Sequence, residues 1–297
     1  MKTDLLFILI LLALVWIGLQ AYKSRDKENE GFHQNDRFLL RTDEDSYDEF
    51  YGETYDRLML PVERSKQFVD VVLDTVQPDT MYSVFLDVGS GTGSLVSELK
   101  SRGYRAYGID QSQAMVDVAA EKYPDVEIKC DSVANPMAFD RALFTHIFCT
   151  HFTIYEIENK ARFFSNCYFW LQNNGYLILH LVEKDRFNAV VPVALPENYS
   201  PEVFDQRVLK TCVDFGDFDY SAEYVPLKEN RMIFKESFKD KETQHIRQNE
   251  RTLYMDSPSD ILEVARTAGF VAKGAFTLEA APCKDRWQQL VILERLS

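Results

Sequence analysis

The chain has 297 residues, 46% hydrophobic and 27% charged, with a formal net charge of -14. That is ordinary globular usage, in a chain long enough for one large domain or two small ones with a real apolar core. The acidic balance, with no Lys/Arg cluster in the glycine-rich half, disfavours nucleic acid as a partner, because such binders draw most of their affinity from neutralised phosphates. Cys130, Cys149, Cys167, Cys212 and Cys283 contain no C-x-x-C pair and are odd in number. They are expected to be reduced and structural, with no metal site.

Leu5 to Leu19 carry no charge and no proline. Extended through Tyr22, the run makes a helix of roughly 27 Å, enough for a thin bilayer. A cleaved signal peptide needs small residues at -1 and -3. Cleavage after Ala21 would put Leu19 at -3, and cleavage after Gly18 would put Trp16 there. Residues 1–22 are therefore predicted to be an uncleaved, single-pass membrane anchor. Lys23, Arg25 and Lys27 follow it, which places the body on the cytoplasmic side. Residues 23–45 read as a polar, solvated linker.

From residue 46 to 297, helical and strand patterns alternate, the signature of a parallel sheet covered by helices on both faces. Pro61 suits a first helical position, followed by Val62, Val69, Val72, Leu73 and Val76 on one face. Strands are predicted over Ser83–Val88, Arg105–Ile109, Val126–Cys130, His146–Thr150 and Tyr176–Val182. Helices between them start at Ser94, after Ser112 and before Phe163. Lys184 to Asp256 loses the alternation but keeps strand-like stretches such as Met232–Phe234 and Thr252–Met255. It is read as an antiparallel insertion over the sheet's ligand edge. A helix from Pro258 to Ala268 and strands over Phe270–Leu278 and Gln289–Leu293 complete the pattern.

The most informative stretch is Leu86-Asp87-Val88-Gly89-Ser90-Gly91-Thr92-Gly93, a strand running into a glycine turn. Glycines there let a backbone approach a ligand closely. The dinucleotide fingerprint G-x-G-x-x-G needs glycine at 94, where Ser94 stands; Gly93 comes one residue early. Asp87 would also repel a pyrophosphate and welcome a cationic ligand. The stretch resembles the first motif, D-x-G-x-G-x-G, of class I S-adenosylmethionine-dependent methyltransferases. Gly108-Ile109-Asp110 resembles the family's second motif, and Cys130-Asp131-Ser132 its third. The likeness is strongest to small-molecule enzymes of the ubiquinone-biosynthesis-like group.

The resemblance implies a Rossmann-like, doubly wound α/β fold with a mostly parallel seven-stranded sheet, here with an antiparallel insertion after strand 5 and one transmembrane helix in front. It implies S-adenosyl-L-methionine as cofactor, held by Asp87, Gly89, Ser90, Gly91 and Gly93. Asp110 would take the ribose hydroxyls beside Gln111, and Asp131 and Ser132 the adenine. Thr150 would join them, and Tyr51 or Tyr55 would close over the methionine part. Tyr47, Tyr51 and Tyr55 fall at i, i+4 and i+8, one helix stripe that also reads as core packing.

Methyl transfer needs a base only when the nucleophile arrives protonated. His151, Tyr155 and His180 are the candidates near the ends of the fourth and fifth strands, where such sheets bind ligands. Each histidine also reads as a satisfied structural residue, and Glu156 reads as either pocket wall or solvated. The family's acid before the fourth strand is replaced by Phe144-Thr145-His146. The expected reaction is methyl transfer to a small-molecule or lipid-like acceptor. A non-catalytic S-adenosylmethionine-binding module and a nicotinamide-dependent oxidoreductase stay open beside it.

Overall fold

A strand whose two faces are both apolar must be covered on both sides, and the stretch from 61 to 182 supplies a helix after nearly every such strand. The computed structural model describes residues 36–296, apart from 190, 196–199, 206 and 281–282. In chain order it contains β1 (Phe38–Thr42), α1 (Glu49–Met59), α2 (Pro61–Val76), β2 (Val84–Val88), α3 (Ser94–Ser101), β3 (Arg105–Asp110) and α4 (Gln113–Lys122). Then come β4 (Ile128–Cys130), β5 (Phe144–Cys149), α5 (Lys160–Trp170) and β6 (Leu171–Val182). Four strands follow: β7 (Lys210–Asp214), β8 (Phe218–Pro226), β9 (Arg231–Asp240) and β10 (Ile246–Tyr254). The last elements are α6 (Pro258–Thr267), β11 (Phe270–Leu278) and β12 (Asp285–Arg295).

Local chemistry starts the helices. Ser112, Asn159 and Ser257 each accept a hydrogen bond from the backbone N–H three residues on, satisfying a donor the helix cannot. The main sheet has seven strands in the order β11-β12-β6-β5-β2-β3-β4. β6, β5, β2, β3 and β4 run parallel, while β12 pairs antiparallel with both β6 and β11. The sheet is therefore mixed. All five residues of the central β2 are buried. Phe68, Val69 and Val72 of α2 pack with Leu95, Val96 and Leu99 of α3 on one face. Phe163, Phe164, Cys167 and Trp170 of α5 and Ile261 and Ala265 of α6 fill the other.

A second sheet has the order β1-β10-β9-β8-β7. Its strands alternate buried and accessible residues, so one face is closed against the rest of the molecule. That face covers α1: the Phe50 and Phe238 rings lie 5.0 Å apart, edge to face. Arg247 of β10 makes a bidentate pair with Asp48, the N-cap of α1, at 2.8 Å to each oxygen.

Two expectations need correction. Phe38–Thr42 fell inside the expected linker, yet β1 pairs in parallel with β10 and is part of the fold. The alternating exposure of β1 explains the misreading, since a half-exposed edge strand looks polar in sequence. The transmembrane helix is also dropped from the fold class. Among the described residues no helix is long and apolar enough to cross a membrane, and the anchor expected over 1–22 lies outside them.

Candidate functional site

β2 and β3 run side by side, so their C-terminal ends bring the glycine loop and Asp110 together. The N–H groups of Gly89 and Ser90 both donate to the Ile109 carbonyl, at 2.9 and 3.2 Å. Gly89, Gly91 and Gly93 all have positive φ, the left-handed conformation that a side chain opposes. A Cβ on Gly89 would stand 2.6 Å from Thr153 Cγ2, whereas one on Gly91 would meet nothing within 4 Å. Gly91 borders open space.

Asp110 closes the loop from below. Its Oδ2 accepts from Gly91 N at 2.8 Å and its Oδ1 from Ser112 N at 2.9 Å. Burial raises its pKa, and these backbone donors pull the other way. Asp87 is 4% exposed and its Oδ1 has no hydrogen-bond partner among the described residues. Burial, and secondarily the charge of Asp110, push its pKa well above the usual carboxylate range. An orphaned buried carboxylate oxygen is costly and asks for a cationic or donor group.

A cavity of about 680 Å³ opens above the strand ends. Gly89, Gly91, Asp110, Gln111, Asp131 and Ser132 line it, together with Tyr47, Tyr55, Glu156 and Arg251. Asp131 accepts from Asn135 Nδ2 at 3.1 Å and Ser132 N at 2.8 Å, with Lys129 at 3.3 Å. The Asn135 bond is the chief reason that its pKa is lowered. Among the described residues seven carboxylates reach the cavity walls, from Asp43, Glu44, Asp45, Asp110, Asp131, Glu156 and Glu158. Two guanidiniums, from Arg162 and Arg251, oppose them. Such a cavity favours a ligand that carries positive charge.

The remaining expected residues divide. His151 lines the cavity in a left-handed backbone conformation, with its Nε2 3.4 Å from Ser65 Oγ. Burial, and then Arg64, hold its pKa well below that of an ordinary imidazole, so the ring is neutral. Tyr155 is buried outside the cavity walls. Its hydroxyl donates to Val182 O at 2.8 Å and accepts from Val182 N at 2.9 Å, which ties it to β6. His180 is likewise buried away from the cavity, stacked 4.1 Å from Phe152, with Nε2 2.9 Å from Gln288 Oε1. The Tyr155 hydroxyl is thus committed to structure, while His180 commits Nε2 and keeps a buried Nδ1 with no hydrogen-bond partner among the described residues. Thr150, Ser90, Gly93 and Asp87 are not among the residues that line the cavity. Tyr51 is fully buried and its hydroxyl donates to Glu236 at 3.2 Å. Of the tyrosine stripe, Tyr55 and Tyr47 face the cavity.

Arg251 is the residue that sequence patterning missed. It is buried, with Nη2 2.8 Å from Glu236 Oε2 and its guanidinium 4.8 Å from both the Tyr47 and Tyr51 rings. Beside it the Tyr47 hydroxyl reaches both carboxylate oxygens of Glu156, at 2.7 and 2.8 Å. The only sequence signal was the period-two placement of Glu236 and Arg251 on the closed faces of their strands.

Known proteins share parts of this arrangement. A family model described as a methyltransferase domain matches residues 86–179. An uncharacterized methyltransferase from Alkaliphilus oremlandii is 30% identical over 83 residues, 28% of this chain and 38% of that protein. A demethylmenaquinone methyltransferase from Chlorobaculum tepidum is 27% identical over 144 residues, 48% of this chain and 55% of that one. The chain thus spans about half or less of the length of these curated relatives. Among solved structures, an S-adenosylmethionine-dependent methyltransferase from Clostridium acetobutylicum has a TM-score of 0.63 at 16% identity, covering 83% of this chain and 98% of the other. That likeness establishes a shared fold.

Proposed function

We propose that this chain is a class I S-adenosylmethionine-dependent methyltransferase that transfers a methyl group from S-adenosylmethionine to a small-molecule acceptor. The observation that carries the proposal is the strap from Asp110 to the Gly91 amide at the floor of an acid-walled cavity. When bound, the cofactor supplies an electrophilic methyl on a positively charged sulfur. The residues present fit such a group. Each Asp110 oxygen keeps a lone pair for a ribose hydroxyl, and Gly89 and Gly91 leave the backbone bare for close approach. Gln111, Asp131 and Ser132 would flank the adenine. Tyr55 and Tyr47 would exclude water from the sulfur side, where a ring face also suits a cation. A dinucleotide fits poorly, because the same carboxylates would repel a pyrophosphate.

Titration calorimetry tests the reading. The protein should bind S-adenosylmethionine, and Asp110→Ala should weaken binding at least about tenfold, since hydrogen bonds to a charged group contribute roughly 1.5–3 kcal/mol each. Unchanged affinity in a folded variant would remove Asp110 from the site. Release of S-adenosylhomocysteine with a supplied acceptor separates an enzyme from a binding module. A lipid-soluble quinone is a second acceptor reading, favoured by the likeness to the demethylmenaquinone enzyme. The charged cavity walls weigh against it.

A further inference from the structure

The cofactor leaves most of the cavity's charge unanswered. Its sulfonium and ammonium are partly offset by its own carboxylate, while seven wall carboxylates face two guanidiniums. Several of those acids are already committed. Asp110 is held by the amides of Gly91 and Ser112, and Asp131 by Asn135, Ser132 and Lys129. Arg251 is shared: Glu236 pairs with it at 2.8 Å, and its charge also reaches Glu156. Glu156 is different: its carboxylate lines the cavity, and among the described residues its only hydrogen-bond partner is the Tyr47 hydroxyl. A carboxylate with one donor retains free lone pairs.

We infer that the acceptor is a small primary or secondary amine, seated as its ammonium against Glu156, which takes the proton that must leave before nitrogen can attack. The inference rests on the methyl-transfer reading. An N–H proton moves to a Glu156 oxygen and its bonding pair stays on nitrogen. That pair forms the new N–C bond in line with the breaking S–CH3 bond, whose electrons remain on sulfur. The products are a methylated ammonium, a neutral thioether and a protonated Glu156, which returns its proton to solvent. Tyr47 is a positioning residue, orienting the carboxylate through its hydroxyl.

The groups facing Glu156 set its proton affinity. Arg251 from β10 and Tyr47 ahead of α1 lower it; Asp110 from β3 and Glu236 from β9 raise it, and burial raises it most. Tyr55, Cys149 and Tyr224 face it from α1, β5 and β8 and stay protonated, their own pKa values raised first by burial. His151, across the cavity, is the weaker candidate, since its burial disfavours the protonated ring.

The full chain with S-adenosylmethionine should be offered a broad panel of small amines, such as benzylamine and glucosamine. Their hydroxyl counterparts, carboxylic acids and a short-chain naphthohydroquinone complete the panel, with products read by mass. Amines should be methylated at nitrogen. Glu156→Gln should lower kcat/KM at least about 100-fold, within the range of a lost general base, and erase the acidic limb of its pH profile while cofactor affinity holds. Tyr47→Phe should cost less and move that limb to higher pH, because a bond that lowers the Glu156 pKa is gone. Methylation of only hydroxyl, carboxyl or quinol compounds, or of none of the amines, overturns the inference. So does a Glu156→Gln enzyme with an unchanged pH profile. Failure of the wild-type chain to bind S-adenosylmethionine would instead sink the methyl-transfer reading itself.

Discussion

The two sheets build their sides of the cavity by different means. In the seven-stranded sheet the ligand wall is built largely from the glycine turn and from acids at or just past strand ends, Asp110 and Asp131. Neighbouring parallel strands bring those ends together automatically. The five-stranded sheet instead contributes side chains from its closed face, and their partners lie far away in sequence. Glu236 meets Tyr51, and Arg247 meets Asp48. One wall is written in local geometry and the other in buried charge, so their failure modes should differ.

The largest expected effect falls on the second wall. Glu236 is fully buried and accepts from Tyr220 at 2.6 Å and Tyr51 at 3.2 Å while pairing with Arg251. Glu236→Ala strands the Arg251 charge among rings, and breaking such a buried pair costs about 3–5 kcal/mol. Chemical denaturation should record that loss. An unchanged midpoint and slope would mean that the ion pair does not hold the second sheet in place.

A smaller effect marks the first sheet. His146 lies buried in β5, stacked 4.5 Å from Phe85, and burial pushes its pKa down to about 4. The unfolded chain takes up its proton near pH 6.5, while the folded chain resists until about pH 4. Stability from this group is therefore full above pH 6.5 and lost as pH falls toward 4, at about 1.4 kcal/mol per unit. Wild type should lose roughly 3 kcal/mol relative to His146→Phe across that window. Parallel stability curves for the two proteins would contradict the depressed pKa.

The smallest effect separates structure from chemistry. Tyr155→Phe removes the two hydrogen bonds to the Val182 backbone and should cost about 1–3 kcal/mol by leaving buried polar groups unpaired. Cofactor affinity and turnover should stay as in wild type. A selective fall in kcat at unchanged stability would return Tyr155 to the chemistry.

Legibility followed the range of the interactions. The strand ends, the glycine turn, Asp110 and the cap at Ser112 could be read directly, because spacing within a few residues decides them. The β1 strand could not, since an edge strand five residues long takes its identity from β10, more than two hundred residues away. Tyr155 and His180 looked catalytic because they stand near strand ends, but which way a side chain points there depends on what packs over it.

Residue order alone therefore settles the alternation of strand and helix, the left-handed glycines and the acid that closes on them, because each follows from backbone sterics and local hydrogen bonding. Folding in three dimensions decides which tyrosine of the stripe faces the cavity, which histidine is silenced and where Arg251 finds its counter-charge. Burial sets the cost of every one of those charges, and burial is a property of the packed chain rather than of any segment of it.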